Sequence, residues 1–189
     1  MLSDFQARLE EVERLVRDDR DEVGKRAGVP FIVFTYDPGD EIEVDEEARN
    51  LIEKLEYHDQ TVAGIDMREL VFSILEDRGI LENVIELERR DRDQLLDGLK
   101  SSLLDDGEMG QLASAIATEA EDADTVIVYR MGILYPFASA STLMGQLEMN
   151  TPDGTPIVFC YPAKVDDKSL RFLDESEGTY YRARVIGHE

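Results

Sequence analysis

One short run constrains this chain more than any other. Thr125-Val-Ile-Val-Tyr129 has no alternation of apolar and polar side chains. A strand with one wet face alternates with period two, so a run like this one is buried on both faces, as in a parallel sheet covered by helices on each side. The run Pro30-Phe-Ile-Val-Phe-Thr-Tyr36 and the run Thr155-Pro-Ile-Val-Phe-Cys-Tyr-Pro162 supply two more strands. Val62 to Asp66 adds a shorter one. Thr179 to Ile186, where Arg182 and Arg184 alternate with Ala183 and Val185, reads as an edge strand with one wet face. In such sheets a ligand site forms at the carboxyl ends of the strands, where the turns converge on a crevice. The segment after Tyr129 is therefore the place to look for a site.

Helical patterns fill the intervals. Ser3 with Gln6 has the form of a capping box, and Leu2, Phe5, Leu9, Val12 and Val16 share one stripe, giving an amphipathic N-terminal helix over residues 1–24 that ends at Gly24. Asp45 is expected to cap a helix that turns Ala48, Leu51, Ile52 and Leu55 inward, and the helix bearing Leu70, Val71, Ile74 and Leu75 is expected to stop at Gly79. Residues 80–124 carry no strand signal and read as a crossover of two or three helices, with a solvated or kinked charged bridge from Glu86 to Asp93. Ser139 and Ser141 are the N-cap candidates for a helix over Thr142 to Leu147. The expected architecture is one α/β domain over residues 1–189: a three-layer α/β/α sandwich with a mainly parallel sheet of about five strands. It resembles a P-loop-type fold without the phosphate-binding loop.

Charge narrows the function. Asp and Glu number 43 against 20 Lys and Arg, for a formal net charge of −23. Acid spread over the whole chain makes direct nucleic-acid binding unfavourable, because phosphate recognition draws its affinity from basic patches. Arg182 and Arg184 are the basic pair a nucleic-acid-facing accessory would use. The acids lie on the polar faces of ordinary helices and lysines are few, a pattern that points to a halophile: at molar salt the Debye length falls to about 3 Å and self-repulsion is screened. No run approaches the length of a membrane span, and the expectation is a cytoplasmic protein. The single cysteine, Cys160, lies inside an apolar run and is expected to be a buried, inert thiol.

The motifs of phosphate, dinucleotide and hydrolase chemistry are missing. No G-x-x-x-x-G-K-[ST] occurs: the one Gly-Lys pair, Gly24-Lys25, is followed by Arg26 and has Asp19 where the first glycine belongs. There is no G-x-G-x-x-G after a strand and no G-x-S-x-G. Two histidines, His58 near a turn and His188 in the tail, read as surface residues and are too few for a zinc site. The sequence thus gives no cofactor or metal site as its first reading. Carboxylates give the best catalytic alternative: Asp37 and Asp66 each end a strand, where two acids can bind Mg²⁺. Both also suit turn and cap roles. Arg130, at the end of a buried strand, needs an acceptor, which is either an anionic ligand or one of those acids.

The order of segments adds a resemblance. The strand and turn PFIVFTYDP come first, followed by GID, by VIVYRMGILYPF leading into TLMGQLE, by PIVFCYPA, by LRFL and by a closing YYRARVI. Together they resemble the BrxB family of bacteriophage exclusion (BREX) systems, from about Pro30 to Ile186. Gly132-Ile-Leu-Tyr-Pro-Phe137 is the most specific piece. Where polar and basic residues are expected to follow it, this chain has Ser139-Ala140-Ser141. The resemblance implies a small, non-enzymatic component of a multigene antiviral system, partnered by PglZ, the protein of these systems with an alkaline-phosphatase-like domain. The apolar turn residues Ile133, Leu134, Tyr135 and Phe137 are the candidate interaction surface, with core packing as the other use of the same turn. The alternative is a diverged nucleotide- or metal-dependent enzyme using Asp37, Asp66 and Arg130.

Overall fold

A computed structural model describes residues 4–104, 109–151, 154–166, 169–172, 175–177 and 182–187. The apolar runs form the strands expected of them: β1 (Phe31–Thr35), β2 (Val62–Asp66), β3 (Thr125–Tyr129) and β4 (Ile157–Tyr161). A last short strand, β8 (Arg184–Ile186), completes a five-stranded sheet in the order β2-β3-β4-β1-β8. Every neighbouring pair in that sheet is parallel.

Both faces are covered, which explains the missing alternation. Phe31 and Val33 of β1, Val126 and Val128 of β3, and Ile157 and Phe159 of β4 face one cluster. That cluster includes α4 (Met67–Asp77), α6 (Arg92–Leu104), α7 (Gln111–Glu121) and α8 (Ala140–Glu148). Ile32, Phe34, Ile127, Val158 and Cys160 point the other way, into α1 (Asp4–Arg17), α2 (Arg20–Ala27) and α3 (Glu41–Tyr57). Burying three largely apolar strands on both sides stabilises the fold by about 25 cal/mol for each Å² of apolar surface removed from water. The result is the three-layer sandwich with a five-stranded parallel sheet.

Several local expectations change. The N-terminal helix is two helices: the break comes at Asp18 and Asp19, α2 runs through Gly24, and the stop is Gly28 at φ 78°. Only glycine takes that left-handed conformation without strain. Asp45 does not begin a helix, since α3 starts four residues earlier at Glu41 and leaves Asp45 buried in its second turn. The 80–124 crossover is three helices, α5 (Leu81–Arg90), α6 and α7, and the charged bridge is a kink at Asp91, whose carboxylate accepts from the Gln94 N–H at 3.1 Å. A second sheet was not foreseen: β5 (Lys164–Asp166), β6 (Ser169–Phe172) and β7 (Glu175–Glu177) form an antiparallel meander. In the final strand only Arg184 to Ile186 are in the ladder, beside β1. Ser3, His188 and residues 179–181 lie outside the described residues. Among the described residues no helix is long and apolar enough to cross a membrane.

Candidate functional site

The carboxyl ends of the strands converge where α/β sheets place their ligands. Parallel pairing sets Asp66 of β2 opposite Tyr129 of β3, so the next residue, Arg130, emerges beside the Asp66 carboxylate. Arg130 donates to Asp66 Oδ2 at 2.7 Å and to Asp45 Oδ2 at 2.5 Å. Its side chain is 29% exposed against 4% for Asp66 and 9% for Asp45. Asp66 Oδ1 is engaged as well: it accepts the N–H groups of Arg68 and Glu69 as the N-cap of α4, at 3.0 and 3.2 Å. One guanidinium thus fastens β3 to α3 and to the junction of β2 with α4.

One turn either side of Asp45 along α3 lie Glu41 and Arg49. Arg49 pairs with Asp45 Oδ2 at 3.2 Å and lies over the Tyr129 ring at 5.7 Å. Glu41 Oε2 accepts from the Tyr36 hydroxyl at 2.7 Å. Burial pushes the Glu41 carboxyl above its ordinary pKa and the Asp45 charge adds to the rise, while the Tyr36 hydrogen bond works against both. Burial, followed by the Glu41 charge, raises the Tyr36 hydroxyl. Burial lowers the Arg130 pKa, but its bonds and charge contacts with Asp45 and Asp66 outweigh that and leave it raised. Asp45 Oδ1 is buried without a hydrogen-bond partner, a cost the ion pairs must offset.

The other half of the crevice, over β4 and β1, is closed by rings. Tyr36 and Tyr161 are 1% and 2% exposed. Phe172 of the second sheet lies 5.6 Å from the Tyr161 ring and 5.3 Å, edge-on, from Tyr135. The turn after β3 runs across this end as a 3-10 segment, Met131–Leu134. Its glycine is a close approach: a Cβ at Gly132 would come within 3.3 Å of Pro162 Cγ and 4.0 Å of both Glu41 Oε2 and Phe172 Cζ. The Tyr135-Pro136 peptide is cis.

The structure sorts the residues singled out from the sequence. Asp66 and Arg130 come together, and Arg130 takes the internal acceptor rather than waiting for a ligand. Asp37 does not join them: it accepts from the Gly39 N–H at 2.9 Å, and its other oxygen lies 3.9 Å from Lys164. The second carboxylate at the cluster is Asp45 instead. Half of the closure of the strand-end crevice is ionic. Of the four turn residues, Leu134 and Phe137 are core, at 1% and 8% exposure, while Ile133 and Tyr135 are half-buried; Pro136, which follows Tyr135, is exposed. The exposed apolar surface expected of all four therefore contracts to Ile133, Tyr135 and Pro136, because the turn folds back over the sheet. Ser139 caps α8 through the Thr142 N–H at 3.2 Å. Arg182 and Arg184 are paired with Glu148 and Glu11, each at 2.6 Å. His58 ends α3 on the surface. Cys160 is buried, with its thiol pushed up to about 12 by burial. Among the described residues no group of three or more His, Cys, Asp or Glu side chains could hold a metal ion. Glu41 and Asp45 were missed as site residues, although Glu41, Asp45 and Arg49 follow one another at intervals of four, the signal that puts all three on one helix face.

Fold and site together define a three-layer parallel α/β domain whose strand-end crevice is occupied by its own ions and rings. Residues 63–186 match the sequence model of the family described as BREX protein BrxB, and the chain belongs to that family. It is also similar to a BREX protein BrxB of Bacillus cereus (strain H3081.97), 25% identical over 181 residues that cover 93% of this chain and 94% of that one. No solved structure matches it.

Proposed function

We propose that this BrxB-family protein is a non-catalytic interaction subunit of a BREX bacteriophage-exclusion system and that its partner is the PglZ protein of the same system. Membership of the family supports the defence role. The observation that carries the non-catalytic reading is the state of the strand-end crevice. Arg130 donates to Asp66 and Asp45, Tyr36 donates to Glu41, and the α3 N-terminus, where a phosphate would be held in a fold of this type, carries Glu41 and Glu43 instead. Carboxylates at that end repel the anion that a nucleotide-dependent enzyme must bind. The partner-facing surface is the exposed side of the turn, Ile133, Tyr135 and Pro136, held in place by core contacts of Leu134 and Phe137.

Co-purification tests the reading. The full chain and PglZ, co-expressed and purified in molar KCl, are expected to elute as one complex. Absence of that complex, with every other component of the system also failing to bind, overturns the interaction role. Turnover of a nucleotide by the purified chain, abolished by Asp66→Asn, overturns the non-catalytic one.

A further inference from the structure

Arg130 leaves β3 in the left-handed region, at φ 58° and ψ 35°. Only two described non-glycine residues have positive φ, and the other is Asp59, of a type that tolerates it. Arginine does not favour this conformation, and a residue held there is kept by its surroundings. The surroundings here are two carboxylates from two different elements, Asp45 of α3 and Asp66 at the end of β2. Beyond Arg130 the chain turns at once into the Met131–Leu134 segment. Its backbone is tied back to the same corner: the Ile133 N–H donates to the Arg130 carbonyl at 3.4 Å, and the Tyr135 N–H to the Gly132 carbonyl at 3.2 Å. The turn that carries Ile133, Tyr135 and Pro136 is thus held at two places, by the core contacts of Leu134 and Phe137 and, where it leaves β3, by the pinned guanidinium of Arg130. Stability alone does not call for this arrangement, since a buried ion pair recovers little more than its desolvation.

We infer that Arg130, clasped by Asp45 and Asp66, is the positioning residue that presents the Ile133–Pro136 turn to the partner protein. The inference rests on the interaction role proposed above and names the residue on which that surface depends, without placing Arg130 itself in the contact. Arg130→Gly is the informative variant: glycine takes φ 58° without strain and deletes the clasp, so the strain relieved offsets part of the ionic loss.

Binding to PglZ is measured by titration in molar KCl for the wild type, Arg130→Gly, Tyr135→Ala and the double variant. Arg130→Gly is expected to stay folded by circular dichroism and to weaken binding at least about tenfold. Guanidinium chloride at about 10 mM, far below denaturing concentrations, is expected to refill the gap between the carboxylates and restore part of the affinity. The double variant is expected to bind no worse than the weaker single one, because both changes spoil the same turn. Wild-type affinity in Arg130→Gly, or losses that multiply in the double variant, overturns the inference. If Arg130→Gly does not fold, Asp45→Asn takes its place, with the same outcomes deciding. If the wild type itself does not bind, the interaction role fails, and hydrogen exchange at the Ile133 and Tyr135 amides decides the positioning separately. Faster exchange in Arg130→Gly supports the clasp, and unchanged exchange refutes it.

Discussion

The carboxyl edge of the sheet is closed twice, by opposite means. Over β2 and β3 the closure is ionic, with one guanidinium between two nearly buried carboxylates. Over β4 and β1 it is aromatic, with Phe172 against the Tyr161 and Tyr135 rings and close to Gly132, and with Tyr36 buried. The rings contribute energy without much direction, since any tight apolar filling would serve. The ions contribute direction with little net energy, because their attraction is largely offset by desolvation. One half of the edge holds the fold together, and the other sets the course of the chain as it leaves the sheet.

The largest effect should come from the aromatic half. Phe172→Ala removes the ring that joins the second sheet to Tyr161 and Tyr135, and is expected to lower the unfolding free energy by about 3–5 kcal/mol in urea titrations. A loss below about 1 kcal/mol would mean that the meander is not part of the core. The ionic half should respond less. Asp66→Ala takes one partner from Arg130 and the cap from α4, and is expected to cost roughly 2–3 kcal/mol. Asp66→Asn keeps an oxygen for the cap and should recover about 1 kcal/mol of that. Equal losses in the two variants would show that the cap contributes nothing.

Glu41 is expected to give a smaller effect of the opposite sign. Its folded pKa lies above the unfolded value of about 4.3. Such a group favours the folded state fully below the unfolded pKa and loses that contribution as pH rises through the folded one. Glu41→Gln is therefore expected to be more stable than the wild type at pH 7, with the advantage vanishing below about pH 4. An advantage that persists in acid would place its origin elsewhere. The smallest response is that of Cys160. With its pKa pushed up to about 12, the thiol should resist a disulfide reagent at pH 8 until the chain unfolds. The charge of −23 adds a background to all of these: melting temperature is expected to rise with KCl toward molar concentrations, and a flat response would remove the case for a saline habitat.

What could be read in the sequence follows from how local each cause is. Phe31 to Thr35 and Thr125 to Tyr129 announce a doubly covered sheet because burial on both faces leaves nothing to alternate. The pairing of Arg130 with Asp66 was among the readings, since two charges at the ends of neighbouring strands meet if the strands are in register. Asp45 was misread because a helix start signal is weak beside a run of acids, and Glu41, one turn earlier, was the true first residue. The meander of β5 to β7 went unseen because Lys164 to Glu177 mixes polar and apolar residues in strands of three and four, too short to show a period. Gly24 misled for a different reason, as a glycine inside a helix is tolerated at a cost of about 1 kcal/mol.

The strand order carries a consequence for the protein's birth. β1 is synthesised before any other strand, yet its two neighbours, β4 and β8, come from residue 157 onward. While the middle of the chain is made, this apolar strand has no ladder to join, and only helices can cover it. Parallel pairing this distant in sequence closes late, so the ladder beside β1 is expected to be among the last parts of the sheet to form.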